Sequence, residues 1–222
     1  GHRVGGPPHA NTCTGTRMSE STNAHTRIPM TSNTSAQVSP AQLPPAQART
    51  LSHTRAVTYH GYRRDDGLWD IEAHLHDSKP APYEVPGEKK WAPHEAIHDM
   101  SIRLTVNEKL VVQDIAVAMP STPHDDCVST QAPMQAMIGC SLTSGWRKAI
   151  EERLGREKGC AHLRELLFNM ATAAFQTVQG TFAVTNPDVP PPHLGKCMSW
   201  GFGTQLVKRR YPTFYMWPEK KK

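Results

Sequence analysis

From Trp69 to His76 the chain alternates residue by residue. Trp69, Ile71, Ala73 and Leu75 fall on one side, and Asp70, Glu72, His74 and His76 on the other. A period of two marks a strand with one face in a core. Arg55–His60 alternates more loosely just before it, and Arg64-Asp-Asp-Gly67 has turn chemistry, so the pattern predicts an antiparallel hairpin. A second hairpin is predicted further on. Met100–Val106 alternates almost perfectly, Asn107-Glu-Lys is the turn, and Leu110–Ala118 returns until Pro120 and Pro123 end it. A Pro-rich, charged loop, Lys79–Pro93, connects the two hairpins.

After Cys127 the period lengthens to that of a helix. Thr130 is placed to cap one, with Pro133 in the first turn and Met134, Met137 and Ile138 following. A second helix is predicted over Thr143–Leu154, closed by Gly155. A third, the most amphipathic, is predicted over Ala161–Val178, with Leu163, Leu166, Leu167, Met170, Ala174, Phe175 and Val178 as its apolar stripe. The tail from Asn186 to Pro218 is Pro-rich, with one candidate strand at Gly203–Lys208. Strands followed by helices imply an α+β fold: an antiparallel sheet of about four strands packed against about three helices.

Composition divides the chain. Hydrophobic residues make up 37% overall, and the deficit is concentrated in residues 1–52, rich in Thr, Ser, Pro, Gln and Ala. That segment has too little apolar surface to offset ordering entropy and is expected to be disordered. Residues 53–217 are expected to form one domain, and residues 218–222 a frayed basic tail. The net charge of +5 is scattered apart from Lys208-Arg-Arg210 and Lys220–Lys222, and no nucleic-acid reader motif accompanies it, so nucleic acid is a disfavoured partner. No apolar run is long enough to span a bilayer, and no secretory pattern opens the chain. A cytoplasmic location is therefore expected, with Cys13, Cys127, Cys140, Cys160 and Cys197 reduced or acting as ligands.

The chemistry-bearing residues sit where elements begin or end. His98 and Asp99 precede a strand, Cys127 follows the hairpin, and Cys160 and His162 open the third helix. Converging, they would form a mixed S, N and O site for zinc or iron. No Cys-x-x-Cys pair exists, and Cys as a small buried hydrophobe is the bland alternative. Asp70, Glu72, His74 and His76 form a polar row that suits ligation or acid–base work, although the solvated face of a half-buried sheet explains it as well. There is no phosphate-cradling loop, nucleophile elbow or dinucleotide fingerprint.

Arg64–Asp77, His98–Thr105, Gly159–Leu167 and the tail Cys197…Tyr211-Pro212 resemble the bacterial family of domain of unknown function 2889, which names no activity. The order of elements from Met100 to Phe175 is more distantly similar to the iron–sulfur scaffolds of the IscU/NifU N-terminal type. That likeness implies an α+β sandwich with a metal or cluster site at one end, holding Cys127, Cys160, His98, and His162 or Asp99. The scaffold's first cysteine has no counterpart here, since Ile97-His98-Asp99 stands in its place. The exchange of thiolate for imidazole moves the expectation from an iron–sulfur cluster toward one zinc or iron ion. Two other readings stand beside it. One is a metal-free enzyme acting on a small molecule or acyl group, with Cys160 as nucleophile and His162 as its base. The other is an interaction module using Tyr211, Phe214, Tyr215 and Trp217.

Overall fold

Period-two alternation becomes a four-stranded sheet. The strands β1 (Thr54–Arg63), β2 (Trp69–Ser78), β5 (His98–Val106) and β6 (Val112–Ser121) lie in the order β1-β2-β5-β6, every neighbour antiparallel. This computed structural model describes residues 43–178, 186 and 188–217. It divides the chain into Gly1–Ala48 and Arg49–Lys222. Of the first unit only residues 43–48 are described; they are exposed and carry neither helix nor strand. Most of the segment expected to be disordered, Cys13 and the Lys220–Lys222 tail lie outside the described residues.

The inward rows are the apolar ones. Trp69, Ile71, Ala73 and Leu75 of β2, Met100, Ile102, Leu104 and Val106 of β5, and Val112, Ile115 and Met119 of β6 are all buried. β6 runs through Pro120 instead of stopping before it. Pro120 falls at an irregularity in the pairing with β5, between the Ala118 and Ser121 pairs of an edge strand, where a missing N–H is tolerated. The loop Lys79–Pro93 holds a small hairpin, β3 (Tyr83–Glu84) and β4 (Lys90–Trp91), closed by the stacked rings of Tyr83 and Trp91 at 5.6 Å.

One helix covers the inner face directly, and a second packs on it. α1 spans Trp146–Leu154, and α2 spans Ala161–Val178 with its buried stripe at Leu163, Leu166, Leu167, Met170, Ala174 and Val178. α2 lies along β1 and β2 and approaches β1 closely at two places. At one, Arg55 Nη1 donates to Glu165 Oε2 at 2.9 Å. At the other, a Cβ on Gly61 would stand only 1.9 Å from Thr177 Oγ1, so glycine is needed there for lack of space.

Three predicted elements come out differently. The first helix is a 3-10 winding over Asp125–Met137, starting before Thr130. Ser129 Oγ and Thr130 Oγ1 donate to the carbonyls of Asp126 and Cys127, three residues back, so Thr130 braces a tight turn and does not cap an α-helix. α1 begins at Trp146 and not at Thr143, because Gly145 takes a left-handed φ of 71°. The candidate strand Gly203–Lys208 is instead mostly helix: α3 spans Gln205–Arg210, and Thr204 Oγ1 caps it by accepting from Val207 N at 3.3 Å. α3 belongs to a small second core of Leu194, Val207 and Phe214, with Trp200, Phe202, Tyr211 and Trp217 packed on it. No described helix is long and apolar enough to cross a membrane.

Candidate metal centre

At one end of the sheet, three residues line up across three strands. Arg55 of β1 pairs with Asp77 of β2, and Asp77 with His98 of β5. Asp77 continues the inward row that begins at Trp69, so alternation carries a carboxylate into the core, where it is 2% exposed. Such a group needs partners. Arg55 grips it with Nε to Oδ1 and Nη2 to Oδ2, both at 2.8 Å. His98 Nδ1 lies 3.1 Å from Oδ2, and His53 Nε2 lies 3.3 Å from Oδ1.

The start of α2 adds the rest. The His162 ring lies 4.1 Å from that of His98, centre to centre. Cys160, the residue just before α2, places Sγ 3.7 Å from His162 Nδ1. Asp77, His98 and His162 each offer a ligand atom, and these atoms lie within 4.8 Å of one another. Contraction toward one ion would bring such a set to bonding distances of about 2.0–2.2 Å.

Electrostatics suits ligation. Burial pushes the pKa of His98 down, and the charge of His162 adds to that against the opposing pull of Asp77. Burial likewise lowers His162, helped by the Arg55 charge. Both rings are therefore neutral at neutral pH, the form that binds a metal. For Asp77, burial alone would raise the pKa. The hydrogen bonds and charge of Arg55, with His98 and His53 behind them, outweigh it and hold the carboxyl below its ordinary value.

Of the residues expected to ligate, His98 and His162 meet, and Cys160 adjoins them. Asp99 does not join them. It follows His98 in a strand, so it points to the opposite face, where its Oδ1 lies 2.9 Å from His74 Nε2 and its Oδ2 3.8 Å from His76 Nδ1. Cys127 also stands apart, half-buried against the main core within the 3-10 winding and outside the converging donor set. Cys140 is core, and Cys197 is exposed. The row Asp70, Glu72, His74 and His76 lies on the open face. There Glu72 pairs with Arg103 at 2.7 Å, and Asp70 accepts from Thr105 at 2.7 Å. Sequence reasoning missed Asp77 and Arg55. The available signal was phase: Asp77 falls on the apolar side of the β2 alternation.

The class of protein is thus an α+β domain with a cluster of one buried carboxylate and two half-buried imidazoles at one sheet end. Residues 53–176, more than half of the chain, match the family described as protein of unknown function (DUF2889), and the chain belongs to that family. No curated protein and no solved structure matches it, so the likeness to iron–sulfur scaffolds rests on the order of elements alone.

Proposed function

We propose that the domain binds one divalent transition-metal ion, zinc or iron(II), through His98, His162 and Asp77, with Cys160 as a further thiolate donor. The observation that carries this reading is the convergence of the three ligand atoms within 4.8 Å at a buried strand end. Two imidazoles and a carboxylate are intermediate donors, suited to zinc or iron rather than calcium or magnesium. The bidentate Arg55 contact fixes the carboxylate's orientation, as outer partners of metal ligands do. Its positive charge also opposes an incoming cation. Asp77 and Glu165 offset that charge, and a Cys160 thiolate at the positive end of α2 would tip the balance toward binding.

A cluster scaffold is a weaker fit, since clusters are held mainly by several thiolates and Cys160 is the one thiol beside this donor set among the described residues. With a coordination position left to water, the ion would supply Lewis-acid or hydroxide chemistry to a small-molecule substrate. The four described cysteines are free thiols, which suits a reducing, cytoplasmic setting.

The test is elemental analysis of tag-free protein beside His98→Ala, His162→Ala and Cys127→Ala. The expected result is about one zinc or iron per chain, lost in both histidine variants and kept in Cys127→Ala. A wild type that stays metal-free after anaerobic reconstitution overturns the reading. The second reading would then take its place: Cys160 as a nucleophile with His162 as its base, favoured by their 3.7 Å approach. Alkylation of Cys160 in metal-free protein no faster than that of an ordinary exposed thiol would remove that reading too.

A further inference from the structure

The far end of α2 carries a second concavity. Phe175 lies thirteen residues beyond His162, about 20 Å along the helix axis. Between the last turns of α2 and the small second core opens a cleft of about 1020 Å³. Its size is at the top of the range for small-molecule sites. Four rings line it: Phe175 of α2, and His193, Trp200 and Tyr211 of the tail. The tail rings meet edge to face. His193 is 4.7 Å from Trp200 and 5.3 Å from Tyr211, and Trp200 is 6.0 Å from Tyr211.

The charge of the lining is one-sided. Lys196 contributes a cation, and no aspartate or glutamate is among the described lining residues. Burial lowers the pKa of His193 below its ordinary value, which leaves Lys196 as the one charged group among the described lining residues. Cages for quaternary ammonium ligands combine rings with attraction for a cation, and a lone lysine reverses that preference. Rings give a planar apolar body something to stack against, and the ammonium gives an anionic substituent a partner.

We infer that this cleft binds a planar aromatic molecule bearing a carboxylate, with the rings of Trp200, Tyr211 and His193 against its body and Lys196 on its charge. The site is independent of the metal centre and does not require it. Cys197, exposed on the same wall, reports on occupancy.

The experiment uses the full chain and three probes of one shape: 2-naphthoate, 2-naphthamide and 2-naphthylmethylammonium. Calorimetric titration is expected to rank them in that order of affinity, unchanged by a chelator. Trp200→Ala is expected to weaken naphthoate and naphthamide alike, by about tenfold. Lys196→Gln, at an exposed position, is expected to erase the advantage of naphthoate over naphthamide. Peptide mapping after iodoacetamide treatment locates the site: bound naphthoate slows alkylation of Cys197 and leaves Cys160 at its free rate. Equal affinity for the three probes, no saturable binding, or protection of Cys160 in place of Cys197 overturns the proposal. Because none of these readouts passes through a metal, loss of the metal reading would leave this one standing, and the reverse also holds.

Discussion

Nearly the same side chains gather on the two sides of the sheet at one end, and the two sides treat them differently. Inside stand Asp77, His98 and His162; outside stand Asp99, His74 and His76, with His98 and Asp99 adjacent in sequence. The inner carboxylate is 2% exposed, the outer one 30%. Outside, water solvates each group, and an ion pair adds little. Inside, the carboxylate is held ionised by a guanidinium gripping both oxygens, and the imidazoles are held neutral by burial. The same side chains thus make an ordinary solvated surface on one side and a poised donor set on the other. The difference is made by the alternation of the strand and by what α2 covers.

The sharpest way to break this contrast is to strip the inner carboxylate of its counter-charge. Arg55→Met is expected to cost about 3 kcal/mol in denaturant unfolding, the low end for a broken buried pair, because Arg55 itself remains 34% exposed. A cost no larger than that of an outer-face variant would dissolve the distinction. Next comes metal affinity. Asp77→Asn, which removes a ligand, is expected to weaken zinc binding by more than the about 10- to 100-fold that loss of an outer partner costs, in competition with a chromophoric chelator. Asp99→Asn should leave it unchanged.

A third and smaller effect is set by pH. His98 and His162 have folded-state pKa values below their ordinary 6.5, so on acidification the unfolded chain takes up protons first. Their contribution is fully present above about pH 6.5 and declines as pH falls toward the folded values. Asp77, lowered from 3.8, adds a further loss at more acid pH, with the same sign. Metal-free protein should therefore lose stability as pH falls below about 6.5, and the slope should flatten in a His98→Gln/His162→Gln double variant. A flat profile in the wild type would contradict neutral buried rings. Smallest of all, His74→Gln is expected to change stability by less than about 1 kcal/mol by thermal or chemical denaturation.

The sheet was legible because it follows one rule over long stretches. The alternation through β2 and β5 assigns Trp69, Ile71, Leu75, Met100, Ile102 and Leu104 inward, and all are buried. α2 was legible for the same reason at a period of 3.6. The 3-10 winding and α3 were not, because local hydroxyl–carbonyl bonds at Ser129 and Thr130 and a cap at Thr204 decide them, and these leave no periodic trace. The site was half legible. His98, Cys160 and His162 stood out as chemistry-bearing residues at element ends. Asp77 lies just past the alternating run Trp69–His76, although its phase puts it with Leu75. Asp99 was grouped with His98 by sequence adjacency, which in a strand is the relation that separates two side chains.

The two contacts between β1 and α2 make rulers of these elements. From Arg55 to Gly61 is six strand residues, roughly 20 Å at about 3.3 Å each. From Glu165 to Thr177 is twelve helical residues, about 18 Å at 1.5 Å each. The graduations differ, yet both end marks coincide. A single residue inserted between the marks slides one scale by about 3.3 Å or 1.5 Å and spoils one coincidence. Insertions between Arg64 and Gly67 leave both marks in place. Changes of length are therefore tolerated at the hairpin tip and forbidden along its arm, however far from the cluster they fall.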